Sequence, residues 1–252
     1  MLRYVFLGLV QGLTEFLPVS SSAHILLVQK WLGLEEPGTL LVAFLHLGTL
    51  LALAAWFCRD LLWLSQALRP QGRPARAYLL RLAVGLFPLF LAYLVLRGKL
   101  GQVFSNPRLA ACLLFVTAGL LFLADRVRQG SVRFPTYLQA GAIGLAQALA
   151  VLPGISRAGA TVATGIFFGL AYEEAFRFSF LLGIPTLLGA AIFALLERGS
   201  PESWLGLLLG TSSAFLSGVV SLSVFRLALS RRKLWPFGLY CLLLGTVGLI
   251  LI

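Results

Sequence analysis

Residues 8–18 read GLVQGLTEFLP, and residues 144–153 read GLAQALAVLP. Gly, Leu, Gln, Leu and the closing Leu-Pro recur in the same order, with one residue fewer in the second copy. Each copy lies in a long apolar stretch, 4–28 and 137–170, and each stretch is interrupted. Pro18 and the run Ser20, Ser21, Ser22 break the first; Pro153, Gly154 and Arg157 break the second. Each is long enough for two half-length helices around its break. At membrane depth, freed backbone groups are tolerated only where protein buries them or a wet cavity receives them. The pattern therefore predicts two re-entrant helical hairpins, each entering and leaving the bilayer on one side.

The remaining apolar segments, near 39–58, 78–96, 107–124, 175–196, 204–229 and 235–252, fit full crossings, because a helix needs about 20 apolar residues to span a core of about 30 Å. Strands of a membrane barrel would show alternation over about 10 residues instead. Across all 252 residues, 59% are hydrophobic and 12% charged, with a mean hydropathy of +0.94. Soluble domains average roughly 45–50% apolar and about 25% charged, so disorder, a coiled coil and a water-soluble globule are excluded. An all-α, polytopic membrane protein follows.

A second echo supports a duplication: Thr-Leu-Leu occurs at 49–51 within LGTLLALAA and at 186–188 within IPTLLGAAI. Each half then holds one hairpin and three transmembrane helices. An odd number of crossings inverts the second half, giving an inverted-topology repeat. Repeat 1 covers about 1–125 and repeat 2 about 135–252 of a single membrane domain.

The formal charge is +11, and most of it lies between apolar spans. One side collects Arg59, Arg69, Arg73, Arg76, Arg81, Arg126, Arg128, Arg133, Arg231, Arg232 and Lys233. The other holds Arg3, Lys30, Arg97, Lys99, Arg108 and Arg198. The positive-inside rule makes the richer side cytoplasmic, so the first hairpin opens outward, the second inward, and their tips meet near the midplane. No nucleic-acid module is visible, and the basic loops are expected to meet lipid headgroups. Cys58, Cys112 and Cys241 lie in apolar stretches and are expected to be small buried hydrophobes. After Arg3 the apolar run continues into Gln11 and Glu15, so no separate cleavable signal peptide is expected.

Eight of the nine acidic residues, Glu35, Glu36, Asp60, Asp125, Glu173, Glu174, Glu197 and Glu202, fall in expected loops or span edges. Glu15 alone sits inside an apolar hairpin. A carboxylate at the bilayer centre costs on the order of 2.5–3.5 kcal/mol on insertion scales, so it needs a cavity, a cation or a proton. Gln11 shares its helix face at i,i+4. Beyond the break, the serines fit helix N-caps or a reactive cluster, and His24 lies three residues after Ser21. It is expected to face the carboxylate for acid/base work, or else to pack as a satisfied histidine. The second break, PGISRAGAT at 153–161, offers Ser156, Arg157 and Thr161 among glycines and helix N-termini. That chemistry fits an oxyanion, phosphate best, or a structural ion pair with Glu15. No GxxxxGK[ST] is present, so it is not a P-loop.

QGLTEFLPVSSSAH at 11–24 and PGISRAGAT at 153–161 closely resemble the two signature motifs of the undecaprenyl-diphosphate phosphatases, the bacitracin-resistance membrane family; LHLGTLLA at 45–52 and FSFLLGIP at 178–185 are similar to further family segments. The resemblance runs over essentially the whole chain. It implies hydrolysis of undecaprenyl diphosphate to undecaprenyl phosphate and inorganic phosphate, recycling the lipid carrier of cell-wall synthesis. It further implies a bacterial plasma membrane, a site open toward the outer face, and a divalent cation, Mg²⁺ or Ca²⁺.

By matching position, Glu15 and Gln11 correspond to the pair that serves metal and water. Ser21 and His24 match the catalytic serine and histidine, and Ser156, Arg157 and Thr161 the phosphate-holding set. Ser20, Ser22 and Gly154 lie in the same motifs and complete the expected substrate contacts. Three departures stand out: Gln11 where Glu is frequent, Ala158 where Ser is frequent, and Ala23 where Gly is frequent. Either Ser21 or a water attacks the terminal phosphorus. Expected partners are a polyprenyl diphosphate lipid and membrane lipids, with a homodimer as an open oligomeric state. Because broken helices in inverted repeats also build secondary transporters, a lipid-carrier flippase or anion transporter is the alternative.

Overall fold

The computed structural model describes residues 1–32, 39–96, 106–128, 130–196 and 203–251. Glu35, Glu36, Arg97, Lys99, Glu197, Arg198 and Glu202 of the charge reading lie outside the described residues. Among the described residues eleven α-helices follow in chain order: α1 Leu2–Phe16, α2 Ser21–Leu32, α3 Thr39–Trp56, α4 Cys58–Ser65, α5 Arg73–Leu96, α6 Pro107–Arg126, α7 Tyr137–Leu149, α8 Arg157–Phe167, α9 Tyr172–Leu196, α10 Trp204–Ser230 and α11 Trp235–Leu251. Among the described residues no strand forms, and a single bridge joins Val132 to Leu170.

Both interrupted stretches form helix pairs. Pro18 stops α1 because a residue before proline is pushed out of the helical region, and Leu17 is extended (φ −67°, ψ 147°). Ser20 then takes a left-handed φ of 66° and α2 begins. In the second pair, turns over 150–156 separate α7 from α8. Thr136 and Gln139 close a reciprocal capping box on α7, while the Gln139 side chain also donates to the Phe168 carbonyl at 2.8 Å. That contact clasps the open end of the hairpin.

Among the described residues four helices, α5, α6, α9 and α10, are long and apolar enough to cross a membrane, and the bent pair α3 and α4 makes a fifth if it is taken as one span. The segment 39–58 is helical as α3 up to Trp56, and the departure from expectation comes after it. The chain bends by 74° between α3 and α4, so much of the expected loop 59–81 is helical, and α5 begins at Arg73. The bend is held by Arg177 of α9, whose Nε donates to Asp60 Oδ1 at 2.6 Å, and by Arg76, which donates to the Ala67 and Arg69 carbonyls. Glu174 lies at a span edge as expected, buried in the first turn of α9, and accepts from the Tyr78 hydroxyl at 2.6 Å. α11 has 17 described residues, at the short end of the range for a span, and Asp125 caps it by accepting from the backbone N–H of Leu234 and Trp235.

Each hairpin's first arm packs on a long helix of the other half: α1 lies along α10, and α7 along α5. The first seam is made of small residues. Ser213 and Ser221 of α10 donate to the carbonyls of Val5 and Gly12 at 2.9 and 2.8 Å, and a Cβ on Gly12 would lie 2.4 Å from the Ala214 carbonyl oxygen. In the second seam, Gly144 comes equally close to the Gly85 backbone. Small residues bring backbones near enough for interhelical dispersion and hydrogen bonds to replace the hydrophobic drive that lipid removes. Centrally, Phe16, Phe57, Phe176, Phe180 and Phe225 stack and tilt against one another. Of the cysteines only Cys241 is buried; Cys58 and Cys112 are exposed, because they lie on outward faces of α4 and α6.

Replacing Gly12 with Ala is expected to lower the thermal midpoint in detergent, since backbone on both sides must separate to admit the methyl. Gly119→Ala on α6, where nothing lies within 4 Å of the added carbon, is expected to hold or raise it by the ~0.5–1 kcal/mol that Ala gains over Gly in a helix. Thermal unfolding of the two variants beside wild type checks both.

Candidate active site

The two breaks meet. Gly154 N donates to Ser20 Oγ at 3.1 Å, and a Cβ on Gly159 would touch Pro18 at 3.2 Å. Gly154 has φ +100°, and an added Cβ would lie 2.2 Å from the Ala110 carbonyl oxygen. Glycine is required there twice over, by conformation and by space. Thr117 of α6 clamps the second tip: its hydroxyl donates to the Gly154 carbonyl at 2.7 Å and accepts from Ser156 N at 3.0 Å. Ser156 in turn caps α8, its Oγ accepting from Gly159 N at 3.1 Å.

Glu15 stands at the junction. Its Oε1 accepts from Arg157 Nη2 at 2.9 Å, while Oε2 accepts from Ser21 Oγ at 2.8 Å and Gln11 Nε2 at 3.1 Å. Carboxylate and guanidinium are 9% and 12% exposed. Arg157 also lies over the Phe180 ring, 5.8 Å from its centroid, and packs on bare Gly183, where a Cβ would collide with Nη1. Nη1 itself is buried without a hydrogen-bond partner.

A cavity of about 250 Å³ opens beside this pair. Thr14, Glu15, Ser20, Ser21, Ser22, His46, Gln147, Ser156, Arg157 and Thr186 supply its polar wall, and Leu89, Val151, Ile155, Leu187 and Ala190 much of its apolar one. The structure thus brings together Glu15, Gln11, Ser20, Ser21, Ser22, Ser156 and Arg157, with Gly154 shaping the tip behind them.

His24 and Thr161 are placed elsewhere. Instead of facing Glu15, His24 is buried against α11: Nδ1 hydrogen-bonds the Ser20 carbonyl at 2.8 Å and Nε2 the Tyr240 hydroxyl at 2.7 Å, with the two rings stacked. Within α2, Ser21 Oγ reaches back to Glu15 while His24, one turn on, reaches Tyr240 of α11. Thr161 is fully buried, donating to the Arg157 carbonyl at 2.7 Å and hydrogen-bonded to Ser179 Oγ of α9.

Sequence reasoning missed His46, Gln147, Thr186, Thr117 and Tyr240. The first three carried a signal: Gln147 and Thr186 are themselves repeated letters of the two echoes, and His46 sits in the quoted segment 45–52. Thr117 and Tyr240 carried none, since only the packing of α6 and α11 brings them to the tips.

A hard cation such as Mg²⁺ or Ca²⁺ needs oxygen donors. Glu15 supplies a carboxylate at the cavity, with Gln11 buried behind it and donating to its Oε2, and no group of three or more His, Cys, Asp or Glu forms among the described residues. The donor set fits an ion that draws its other ligands from water and phosphate, the usual habit of Mg²⁺.

Fold and site together define a polytopic helical membrane protein whose two broken hairpins enclose a charged, hydroxyl-rich cavity suited to an anion. The chain belongs to the family described as Bacitracin resistance protein BacA, whose profile matches residues 4–247. Among curated relatives, an undecaprenyl-diphosphatase of Desulfosudis oleivorans is 40% identical, covering 97% of this chain and 96% of its own. One of Syntrophotalea carbinolica is 39% identical with the same coverage. One of Thermosipho africanus is 34% identical over 98% of both chains.

Replacing Thr117 with Val removes the hydroxyl but keeps the shape, leaving the Gly154 carbonyl and the Ser156 N–H unpaired in a buried place. The expected loss is about 1–3 kcal/mol for each stranded group, read as a lower thermal midpoint in detergent. A midpoint equal to wild type would mean that the clamp contributes nothing.

Proposed function

We propose that the chain hydrolyses undecaprenyl diphosphate to undecaprenyl phosphate and inorganic phosphate. The carrying observation is the buried guanidinium of Arg157, which has a free nitrogen beside a carboxylate and serine hydroxyls, in a chain whose relatives are named for that reaction. Phosphoryl transfer is mostly positioning and charge neutralisation, and this cavity offers both. The apolar wall formed by Leu89, Val151, Ile155 and Leu187 suits the first units of a prenyl chain.

Ser21 is the nucleophile in this reading, and Glu15, 2.8 Å away, takes its proton. The bond from Oγ to the terminal phosphorus forms as the bridging P–O bond breaks, and undecaprenyl phosphate leaves. A water then cleaves the phosphoserine, giving inorganic phosphate and restoring Ser21. Arg157 stabilises the equatorial oxygens, as a planar fork does for phosphate. His24 acts through the backbone of Ser20, holding the serine turn in place with Tyr240. A Mg²⁺ or Ca²⁺ ion held by Glu15 and Gln11 would supply further charge neutralisation to the diphosphate.

The reciprocal packing of α1 on α10 and of α7 on α5 supports the inverted repeat of 1–125 and 135–252. Leu89 lies in the later half of α5, away from the basic segment with Arg69 and Arg73. Thr186, Leu187 and Ala190 lie in the later half of α9, whose start is tied to the basic segment 126–133 by the Val132–Leu170 bridge. With those segments cytoplasmic, the cavity faces the outer side of a bacterial plasma membrane. A flippase or anion transporter would instead move its ligand without releasing phosphate.

Purified protein is expected to release one phosphate per undecaprenyl diphosphate. Arg157→Lys should lower kcat/KM by at least the ~10²–10³ typical of one lost oxyanion donor, because an ammonium cannot grip two oxygens. Ser21→Ala should abolish turnover, and acid quenching of wild type with labelled substrate should leave label on Ser21. Label absent and a Ser21→Ala loss near 10² would assign the attack to water.

A further inference from the structure

Gln147 of α7 is 1% exposed, yet neither Nε2 nor Oε1 of its amide has a hydrogen-bond partner. Buried amides are nearly always paired, so this one awaits something. Its counterpart in the first hairpin explains the vacancy of partners. Gln11 donates to Glu15, four residues on and one turn along the same face. Four residues after Gln147 stands Val151, which has nothing to accept. Both Gln147 and Val151 line the cavity that holds Glu15, Ser21 and Arg157. A second unsatisfied group, Nη1 of Arg157, belongs to another lining residue of that cavity, on the other arm of the same hairpin, and lies buried against Gly183. Two lining residues on one hairpin that each keep an unpaired polar atom point to a ligand rich in acceptors.

We propose that Gln147 is a head-group contact, its Nε2 donating to a phosphoryl oxygen of the bound diphosphate while Oε1 accepts from a water held beside it. The amide's terminal torsion is broad, so either end turns toward the cavity without moving α7. Because the amide is neutral, it adds a donor next to Arg157 without a second positive charge. The inference rests on the diphosphatase reading for the identity of the ligand, and on the unpaired amide alone for the existence of the contact.

Gln147→Met tests it, because Met has similar length and no strong hydrogen-bonding atom. A merely structural glutamine would lose stability when replaced; an unpaired one should not. The expected result is a thermal midpoint in detergent equal to or above wild type, together with a kcat/KM for undecaprenyl diphosphate about 10-fold or more lower, mainly through KM. Gln147→Glu should lose more, since its anion faces the diphosphate. The non-hydrolysable probe methylenebisphosphonate separates this inference from the functional reading: it should raise the thermal midpoint of wild type and fail to raise that of Gln147→Met. If wild type releases no phosphate but the probe still distinguishes the two proteins, the hydrolysis reading fails and the contact stands. Equal KM and equal probe response in both proteins would overturn the contact, as would a lower midpoint for Gln147→Met in the absence of ligand.

Discussion

One buried ion pair organises this molecule. Arg157 and Glu15 come from hairpins 142 residues apart in sequence, and they meet at 2.9 Å with little exposure to solvent. Neither charge is affordable alone among apolar helices, and removing one partner of such a pair costs about 3–5 kcal/mol because the other is left uncompensated. Even paired, the two repay their desolvation only if the remaining valences are filled. Glu15 fills its own with Ser21 and Gln11. Arg157 leaves Nη1 open, and an open guanidinium nitrogen beside a cavity is where an anion gains most.

Everything around the pair serves to bring the two tips to one point. The hairpins are anchored at their outer arms by close small-residue seams on α10 and α5, and at their tips by Ser20, Gly154 and Thr117. Backbone groups released by the two breaks are thereby satisfied inside protein, as membrane depth demands. The same breaks produce the functional surface: stopping α1 at Pro18 frees the serines, and starting α8 at Ser156 places Arg157 in its first turn. Far from the tips, Arg177, Asp60, Glu174 and Tyr78 tie α4, α5 and α9 into a second polar knot that steadies the bend after α3.

Much of this was legible in the amino-acid sequence, for physical reasons. Proline followed by a run of serines, or by glycine and arginine, interrupts an apolar stretch in a way that the lone Pro88 and Pro185 of α5 and α9 do not. Both interruptions were therefore visible, and an ion pair between the lone carboxylate and the arginine was one of two expected readings. What escaped was direction. Helical spacing puts Ser21 and His24 one turn apart, but Ser21 reaches Glu15 while His24 ends against Tyr240, a partner that only the packing of α11 supplies. The bend between α3 and α4 escaped because its cause, Arg177, lies over a hundred residues away. Thr117 and Tyr240 are ordinary letters in apolar helices until packing gives them partners.

The central claim is that Glu15 and Arg157, one from each hairpin, act on the head group as a single unit. A double-mutant cycle on kcat/KM for phosphate release from undecaprenyl diphosphate measures that directly, using Glu15→Gln, Arg157→Lys and the pair combined. Residues that work as a unit are grossly non-additive, so the double variant should lose scarcely more than the worse single one. Losses that simply multiply would show two independent groups and contradict the account.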